Sequence, residues 1–489
     1  MIRILLFLIS VTLGIMLLFS CKKGGSEPIP DPIIPDPVLP KITITIDKST
    51  KYQTIEGFGF FGAADVWWEA AGKMWNDDWA EKVISDLGIT MWRNEIIPPS
   101  TPEITQGADW NKQKPVVKGL KAKADKYNVK LKFIASVWSP PADLKWACNL
   151  TWAGDVNATR NPGNVSTING GTLNPNKYTE YADWLKTNLQ YYKDAGVELY
   201  GLSLQNELLF VEPYNSCVYT TAWYNDMVNG VVPGIKANFP DVKIFGSENM
   251  LAMEGQDINW PVFYHAGIKK NATTTANIDV LAVHGYADGI APSTGSELAK
   301  MWTNHTEQFL MPMNKPVWMS ETSGYTDSWE KAGSLPGALN LALDMHAALF
   351  YGNISAWVWW QGSQSVTNEF SLMSGLTTGK KYSVSKHFYR YIRPGAVRLK
   401  SSVTDAEFFV TAYENLAKGT NTIVIINNGS TDKSVSLTGE GLPLSYKMYR
   451  TNATTENCSY IKDVNSGSSN GFTVPTKSIV TLQAGGDAL

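Results

Sequence analysis

The chain has 489 residues, a net charge of -3 and 44% hydrophobic residues, enough for one large hydrophobic core and a smaller one. It lacks the basic excess that nucleic-acid binding requires, so we expect no nucleic-acid partner. The 5 histidines and 4 cysteines include no C-x-x-C pair and no H-E-x-x-H motif. We therefore expect no metal site and no cofactor.

The first 20 residues have the layout of a secretory signal, with Arg3 ahead of an apolar run from Ile4 to Phe19. The run leads into Leu-Phe-Ser-Cys21, which resembles the bacterial lipoprotein box, where cleavage before the cysteine is followed by acylation of its thiol. The apolar run is shorter than the ~20 residues of a transmembrane span, which disfavours an uncleaved anchor. The sequence predicts an exported lipoprotein, held at the cell surface or in the periplasm through Cys21.

A proline-rich segment follows the signal. Between residues 27 and 40 proline recurs too often for a helix or a central strand. Residues 21–40 are therefore predicted to form an extended spacer between the lipid anchor and the folded body. A disordered tail without a spacing role is the alternative.

Eight apolar, β-branched or aromatic runs alternate with segments of helical periodicity. This alternation predicts parallel strands joined by helices, and eight such units predict a (β/α)8 barrel, a TIM barrel, over residues 55–393. The predicted strands are Ile55–Phe61, Ile89–Ile96, Leu131–Trp138, Leu199–Gln205, Val242–Ser247, Ile278–His284, Pro316–Ser320 and Ile354–Trp360.

The pattern changes after Arg393, where polar and apolar residues alternate between Asn, Gly and Ser turns. Residues 394–489 are therefore predicted to form an antiparallel β-sandwich. Residues 41–54 alternate in the same way and are expected to add a strand to that sandwich. The second domain would then be built from both ends of the chain.

Two glutamates at the ends of predicted barrel strands carry the strongest functional signal. Glu207 closes Leu-Ser-Leu-Gln-Asn-Glu, and Glu321 closes Val-Trp-Met-Ser-Glu. The carboxyl ends of the strands meet at the catalytic face of such a barrel, and hydrolysis of a glycosidic bond needs two facing carboxyl groups. The pair predicts a glycosidase.

Four polar residues near the same strand ends are candidate substrate-binding residues. Asn206 has an amide suited to a sugar hydroxyl, and Arg93 could lower the pKa of a neighbouring nucleophilic carboxylate. His284 and Tyr286 could orient Glu321 or contact the substrate. An internal hydrogen bond of the barrel is the alternative use for these side chains.

Tryptophans occur at two of the predicted strand ends. Trp138 closes the third strand, and Trp359 and Trp360 close the eighth. Neighbouring strand residues point to opposite faces, so at most one of the last two lines the pocket. Trp360 is favoured because it is the later residue.

Cys148 and Cys217 lie about ten residues beyond the third and fourth predicted strands, on neighbouring loops of one barrel face. This placement predicts a disulfide between them. Two free thiols are the alternative.

The segment from Gly57 to Gly62 matches G-x-G-x-x-G after a strand. Its three phenylalanines suit a packed barrel turn better than close approach to a pyrophosphate. A dinucleotide site is therefore not expected.

Six short motifs carry a family resemblance. They are Ile-Glu-Gly-Phe-Gly, Trp-Ser-Pro-Pro, Leu-Gln-Asn-Glu, Trp-Met-Ser-Glu, Trp-Trp and Ile-Arg-Pro-Gly, in this order. In order and spacing the chain resembles glycoside hydrolase family 30 over nearly everything after the linker. The resemblance implies a retaining mechanism with Glu207 as acid/base and Glu321 as nucleophile.

Within that family the chain looks most like the bacterial and fungal glucuronoxylanases, with three departures. Leu208 stands where the family usually has proline, and Ala-Asp-Leu-Lys at residues 142–145 replaces the more usual aromatic-Met-Lys. The loop from Gln361 to Gly379 lacks the arginine with which glucuronoxylanases grip the uronate. We therefore expect an endo-β-glycosidase acting on a plant-type β-glycan, with xylan first and β-1,6-linked galactan or glucan second. A non-catalytic glycan-binding lipoprotein is the alternative from another class.

Overall fold

The computed structural model describes residues 39–62, 64–68, 76–98, 108–165, 167–211, 214–256, 263–286, 296–468 and 471–486. The predicted signal, Cys21 and nearly all of the proline-rich spacer lie outside these ranges. The chain from Leu39 onward forms one compact unit. Within the described ranges, no helix has the length and apolar character needed to cross a bilayer.

Eight parallel strands close into a barrel, which confirms the predicted fold class. The first and last strands complete the closure by pairing through Gly57 and Ala356. In chain order the barrel strands are Gly57–Phe61, Met91–Ile96, Lys132–Val137, Leu199–Ser203, Lys243–Met250, Val280–Tyr286, Val317–Ser323 and Ala356–Trp359.

Helices connect the barrel strands and cover them from outside. Several begin at a side chain that caps the first turn: Thr220 accepts a hydrogen bond from the Trp223 amide, and Ser296 accepts one from Ala299. The longer helices are Ala108–Lys126, Tyr178–Asp194, Thr221–Lys236, Tyr264–Lys270, Glu297–His305, Ala338–Phe350 and Lys380–Tyr389. Shorter helical segments are Ala64–Trp68, Asp77–Glu81, Lys82–Leu87, Ala142–Leu144, Pro175–Lys177, Leu251–Glu254, Ala272–Asn277, Thr306–Leu310 and Met311–Met313.

The barrel interior changes from apolar to polar towards the carboxyl ends of the strands. An inner apolar cluster includes Met91, Ile134 and Ala282. Arg93 lies two positions beyond Met91, and His284 two positions beyond Ala282. Side chains two positions apart on a strand share a face, so Arg93 and His284 lie one layer nearer the carboxyl ends of the strands. The polar layer rests on a packed floor and lies at the end of the barrel where such folds carry out chemistry.

Gly59 lets the first two barrel strands approach closely. A Cβ atom added there would lie 1.8 Å from the backbone oxygen of Met91 on the second strand. The glycine-rich motif therefore serves strand packing in this chain, as its phenylalanines indicated.

The side domain is a nine-stranded sheet with its own hydrophobic core. It is antiparallel except where Lys41–Thr54 runs parallel to Lys433–Thr438. Its other strands are Val397–Val403, Phe408–Asn415, Thr420–Asn427, Ser445–Thr451, Ser459–Asn465, Phe472–Val474 and Ser478–Ala484.

Two of the barrel loops contain small β-sheets of their own. The loop after the third barrel strand holds three short strands, Lys145–Cys148, Arg160–Asn164 and Thr172–Leu173. The loop after the eighth holds a hairpin of Met373–Ser374 and Thr377–Thr378.

Candidate active site

The barrel brings the two predicted catalytic glutamates together. Glu207 follows the fourth strand, and Glu321 lies in the seventh, where it pairs in register with His284 of the sixth. One carboxylate oxygen of each glutamate and a ring nitrogen of His284 all lie within 4.8 Å of one another. Both glutamates therefore face the same small volume at the carboxyl ends of the strands.

Glu321 is held by two donors, one on each oxygen. Arg93 donates from Nη1 to Oε2 at 2.5 Å, and the Tyr286 hydroxyl donates to Oε1. Burial and the negative charges of Glu321 and Glu207 keep the pKa of Tyr286 well above its usual value. Tyr286 is therefore a neutral donor at any working pH, and Glu321 is fixed in orientation.

Glu207 contacts His284 and adopts an unusual backbone conformation. Its Oε1 lies 2.9 Å from His284 Nδ1. Its φ of 40° lies in the left-handed region, where a residue with a side chain is strained by about 1–3 kcal/mol. Strain of this kind persists only where the surrounding structure enforces it, which is common at functional sites.

Arg93 links the candidate residues from within the barrel. It is fully buried and donates from Nη2 to Asn206 Oδ1 at 2.8 Å and from Nε to Ser136 Oγ at 3.1 Å. Burial lowers its pKa, but Glu248 and Glu321 outweigh that effect and raise it. Arg93 is a permanent cation that fixes Glu321 and Asn206 in one arrangement.

Glu248 is a third carboxylate of the site that the sequence analysis missed. It is completely buried, and its Oε1 lies 3.0 Å from Arg93 Nη2, 3.1 Å from Ser136 Oγ and 3.3 Å from His284 Nε2. Burial raises the pKa of Glu248, but the charge of Arg93 and the contacts with His284 lower it to about 2. Its position just beyond the predicted fifth strand is the signal that singled out Glu207 and could have found it.

His284 carries a positive charge at neutral pH because carboxylates surround it. Burial lowers its pKa, but Glu321, Glu207 and Glu248 together raise it to about 9. Glu207, His284 and Glu321 could geometrically hold a metal ion. The 2.9 Å contact between His284 Nδ1 and Glu207 Oε1 also suits proton exchange between these two side chains.

Aromatic rings line the side of the site next to Arg93. The guanidinium carbon of Arg93 lies 5.0 Å from the ring centre of Trp138. Trp360 is half-buried, with ring centres 4.1 Å from Phe61 and 5.9 Å from Trp138. Trp359 is fully buried and donates to the Phe370 carbonyl. The structure therefore places Trp138 and Trp360 together and Trp359 in the packed wall.

The predicted disulfide between Cys148 and Cys217 is not formed. Both are free thiols, and Cys217 Sγ lies 3.4 Å from the Tyr219 hydroxyl. Burial raises the pKa of both thiols. Protonated thiols are poor nucleophiles, so this environment disfavours oxidation.

The two lysines that follow the strand-eight loop are both committed elsewhere. Lys380 donates to the Thr454 and Glu456 carbonyls and to Asn457 in the side domain. Lys381 is fully buried and donates to the Asn368 carbonyl at 2.5 Å. Neither ammonium is available to a substrate carboxylate.

A closed parallel barrel with two glutamates facing each other at its catalytic face is the arrangement expected of a glycoside hydrolase. Residues 106–365, more than half of the chain, match the Glycosyl hydrolase family 30 TIM-barrel domain. The chain belongs to this family and is a glycoside hydrolase.

Among known relatives, the glucuronoxylanase XynC of Bacillus subtilis (strain 168) is 25% identical over 301 residues, 60% of this chain. The alignment spans 58% of that relative's length.

The fold is also found in solved structures of other proteins. A GH30 endoxylanase from Clostridium papyrosolvens C71 is 22% identical with a TM-score of 0.68, covering 91% of this chain and 100% of its own. The endo-β1,6-glucanase BT3312 is 18% identical with a TM-score of 0.65, covering 91% of this chain and 95% of its own.

Proposed function

We propose that the protein is a retaining endo-β-glycosidase that hydrolyses a plant-type β-glycan by double displacement. The observation that carries this proposal is the spacing of the two carboxylates, whose nearest oxygens lie within 4.8 Å of each other. Retaining glycosidases hold their carboxyl groups about 5 Å apart, whereas inverting enzymes leave room for a water between them.

The contacts of the two glutamates suggest their roles. Glu321 is held on both oxygens by Arg93 and Tyr286, an arrangement suited to a carboxylate that must attack the anomeric carbon from a fixed direction. Glu207 contacts the ring of His284, which can exchange a proton with it. Glu207 protonates the departing oxygen in the first step and takes a proton from water in the second.

Substitution of each glutamate tests the mechanism. Glu321→Gln should abolish turnover, because no covalent intermediate can form. Glu207→Ala should keep measurable activity on aryl glycosides with good leaving groups, which depart without a proton, and lose it on polysaccharide.

Glu254→Gln is the matched control. Glu254 is buried in the short helix after the fifth strand, and it accepts hydrogen bonds from the Asn249 side chain and from two backbone amides.

The first product anomer, followed by proton NMR, should have the configuration of the substrate. Release of the inverted anomer would refute the retaining mechanism.

Xylan is the first proposed substrate and β-1,6-linked galactan or glucan the second. The similarity to a glucuronoxylanase supports xylan. The absence of arginine and lysine from the segment 361–379 favours a neutral glycan without a uronate anchor. Hydrolysis of a panel of linear xylan, glucuronoxylan, β-1,6-glucan and β-1,6-galactan, with product analysis, decides between them.

We further propose that the enzyme is exported and anchored through a lipid on Cys21, with the proline-rich spacer holding the barrel off the membrane. The apolar run and the Leu-Phe-Ser-Cys sequence support this assignment. Labelled palmitate should be incorporated into the wild type and not into Cys21→Ser expressed in the same cells. Equal labelling of the two would contradict it.

A further inference from the structure

The loop that follows Glu207 exposes an unusual amount of apolar surface. Phe210 is 56% exposed, Val211 63% and Tyr214 54%. Single exposed apolar residues are ordinary, whereas three on one short loop are a concentration of apolar surface that indicates a binding site. We call Phe210, Val211 and Tyr214 the aromatic surface.

The aromatic surface lies one tight turn from Glu207. The Phe210 amide donates to the Glu207 carbonyl at 3.1 Å, which closes the turn between them. Leu208, between the two, is completely buried and anchors the turn to the core. Phe210 is therefore held next to the proposed acid/base residue by the backbone.

Hydrogen bonds fix the rest of this loop to the loop after the third barrel strand. The Ser216 amide donates to the Ile168 carbonyl at 3.1 Å, and the Gly170 amide donates to Ser216 Oγ at 2.9 Å. The Val218 amide donates to the Gly171 carbonyl at 2.8 Å. Two neighbouring loops thus behave as one connected layer at the catalytic face.

A buried ammonium group joins these loops to the barrel. Lys145 is fully buried, and its Nζ donates to Ser139 Oγ at 2.9 Å, to the Ile168 carbonyl at 2.9 Å and to the Ser216 carbonyl at 2.8 Å. All three of its hydrogens are used. Burying an ammonium is costly unless every proton is satisfied, so the loops must keep this arrangement.

We propose that the aromatic surface binds the sugar residues on the leaving-group side of the bond that is cleaved. This inference rests on the proposed function. Glu207 protonates the oxygen of the leaving group, so the sugars that depart with that oxygen lie next to Glu207 and the turn that follows it. Pyranose rings have flat apolar faces that pack on aromatic side chains. Lys145 fixes this loop at Ser216, which reduces the ordering that binding has to impose on the loop.

The aromatic surface therefore makes the enzyme dependent on sugars beyond the cleaved bond. Substrates with a sugar on the leaving-group side should gain from Phe210, whereas an aryl glycoside, which has none there, should not. A stacking contact of about 1.4 kcal/mol corresponds to about a tenfold effect on binding.

Phe210→Ala tests this, measured on linear xylan, on β-1,6-glucan and on an aryl β-glycoside. We expect kcat/KM to fall about tenfold on the polysaccharide that the wild type cleaves and to stay within twofold on the aryl glycoside. Leu416→Ala, which removes an even more exposed apolar residue from the side domain, should change neither. An equal loss on both substrate types, or no loss on either, would overturn the proposal.

A binding measurement separates this inference from the proposed function. Affinity electrophoresis in gels containing linear xylan or β-1,6-glucan should retard Glu321→Gln, and adding Phe210→Ala should reduce that retardation. The proposal is overturned if Phe210→Ala leaves the retardation unchanged, or if neither gel retards Glu321→Gln. If the wild type binds the glycan but does not hydrolyse it, only the proposed function is overturned. A wild-type dimer that Phe210→Ala dissociates without altering either measurement would assign the surface to a second copy of the chain instead.

Discussion

Glu248→Gln removes a fully buried negative charge that contacts both Arg93 and His284. Arg93 in turn holds Glu321, and His284 contacts Glu207, so a single buried carboxylate supports both glutamates. The substitution keeps the size of the side chain and one oxygen acceptor. It therefore reports on the charge of Glu248 rather than on packing.

The size of the effect follows from the pKa of Glu248. A pKa of about 2 in place of 4.5 corresponds to roughly 3 kcal/mol, since one pKa unit equals about 1.4 kcal/mol. Breaking a buried ion pair by removing one partner costs about 3–5 kcal/mol in other proteins, which agrees. Because the folded-state pKa is lowered, this stabilisation is complete above pH 4.5 and is lost as the pH falls towards 2.

Urea unfolding at pH 7 and at pH 3 measures that contribution, and kcat on an aryl glycoside measures its consequence for the site. We expect Glu248→Gln to lower the free energy of unfolding by about 3 kcal/mol at pH 7 and by less at pH 3. We expect kcat to fall by about 10²-fold, because Arg93 and His284 both lose the anion that positions them.

Glu254→Gln serves again as the buried-carboxylate control and should lose stability without a comparable loss of kcat. An equal loss of stability at both pH values, or a kcat within twofold of the wild type, would contradict this role of the Glu248 charge.

Two further predictions concern pH and substrate charge. The pKa of His284 is raised to about 9 from 6.5, so its stabilising charge is complete below pH 6.5 and is lost as the pH rises through 9. Between pH 6 and pH 10 the unfolding temperature should therefore fall more steeply for the wild type than for His284→Gln. Parallel curves of unfolding temperature against pH would contradict this. If xylan is the substrate, linear xylan and glucuronoxylan should be cleaved at comparable rates, because Lys380 and Lys381 are occupied by internal carbonyls. Products that all carry glucuronic acid at one fixed position would show that another residue grips the uronate.

The sequence by itself determined the fold class and the two glutamates at the strand ends. Strands and helices leave their period in the order of apolar residues, so eight alternating units and a later β-rich region could be recognised without any contact information. Glu207 and Glu321 stood out because a charged residue at the end of an apolar run is placed by its own strand. The bulky residues of the glycine motif likewise argued against phosphate binding, in keeping with the close approach of Gly59 to Met91.

Contacts between distant segments were decided only by the tertiary structure. Closure of the barrel places Glu248 within reach of Arg93 and His284, which lie 155 and 36 residues away along the chain. The predicted Cys148–Cys217 disulfide was wrong, since proximity of two loops does not fix where each sulfur points or how deeply it is buried. Sequence periodicity reports which face of an element a residue occupies, whereas hydrogen bonds and pKa values depend on distances across the barrel. Those distances exist only once the chain has closed on itself.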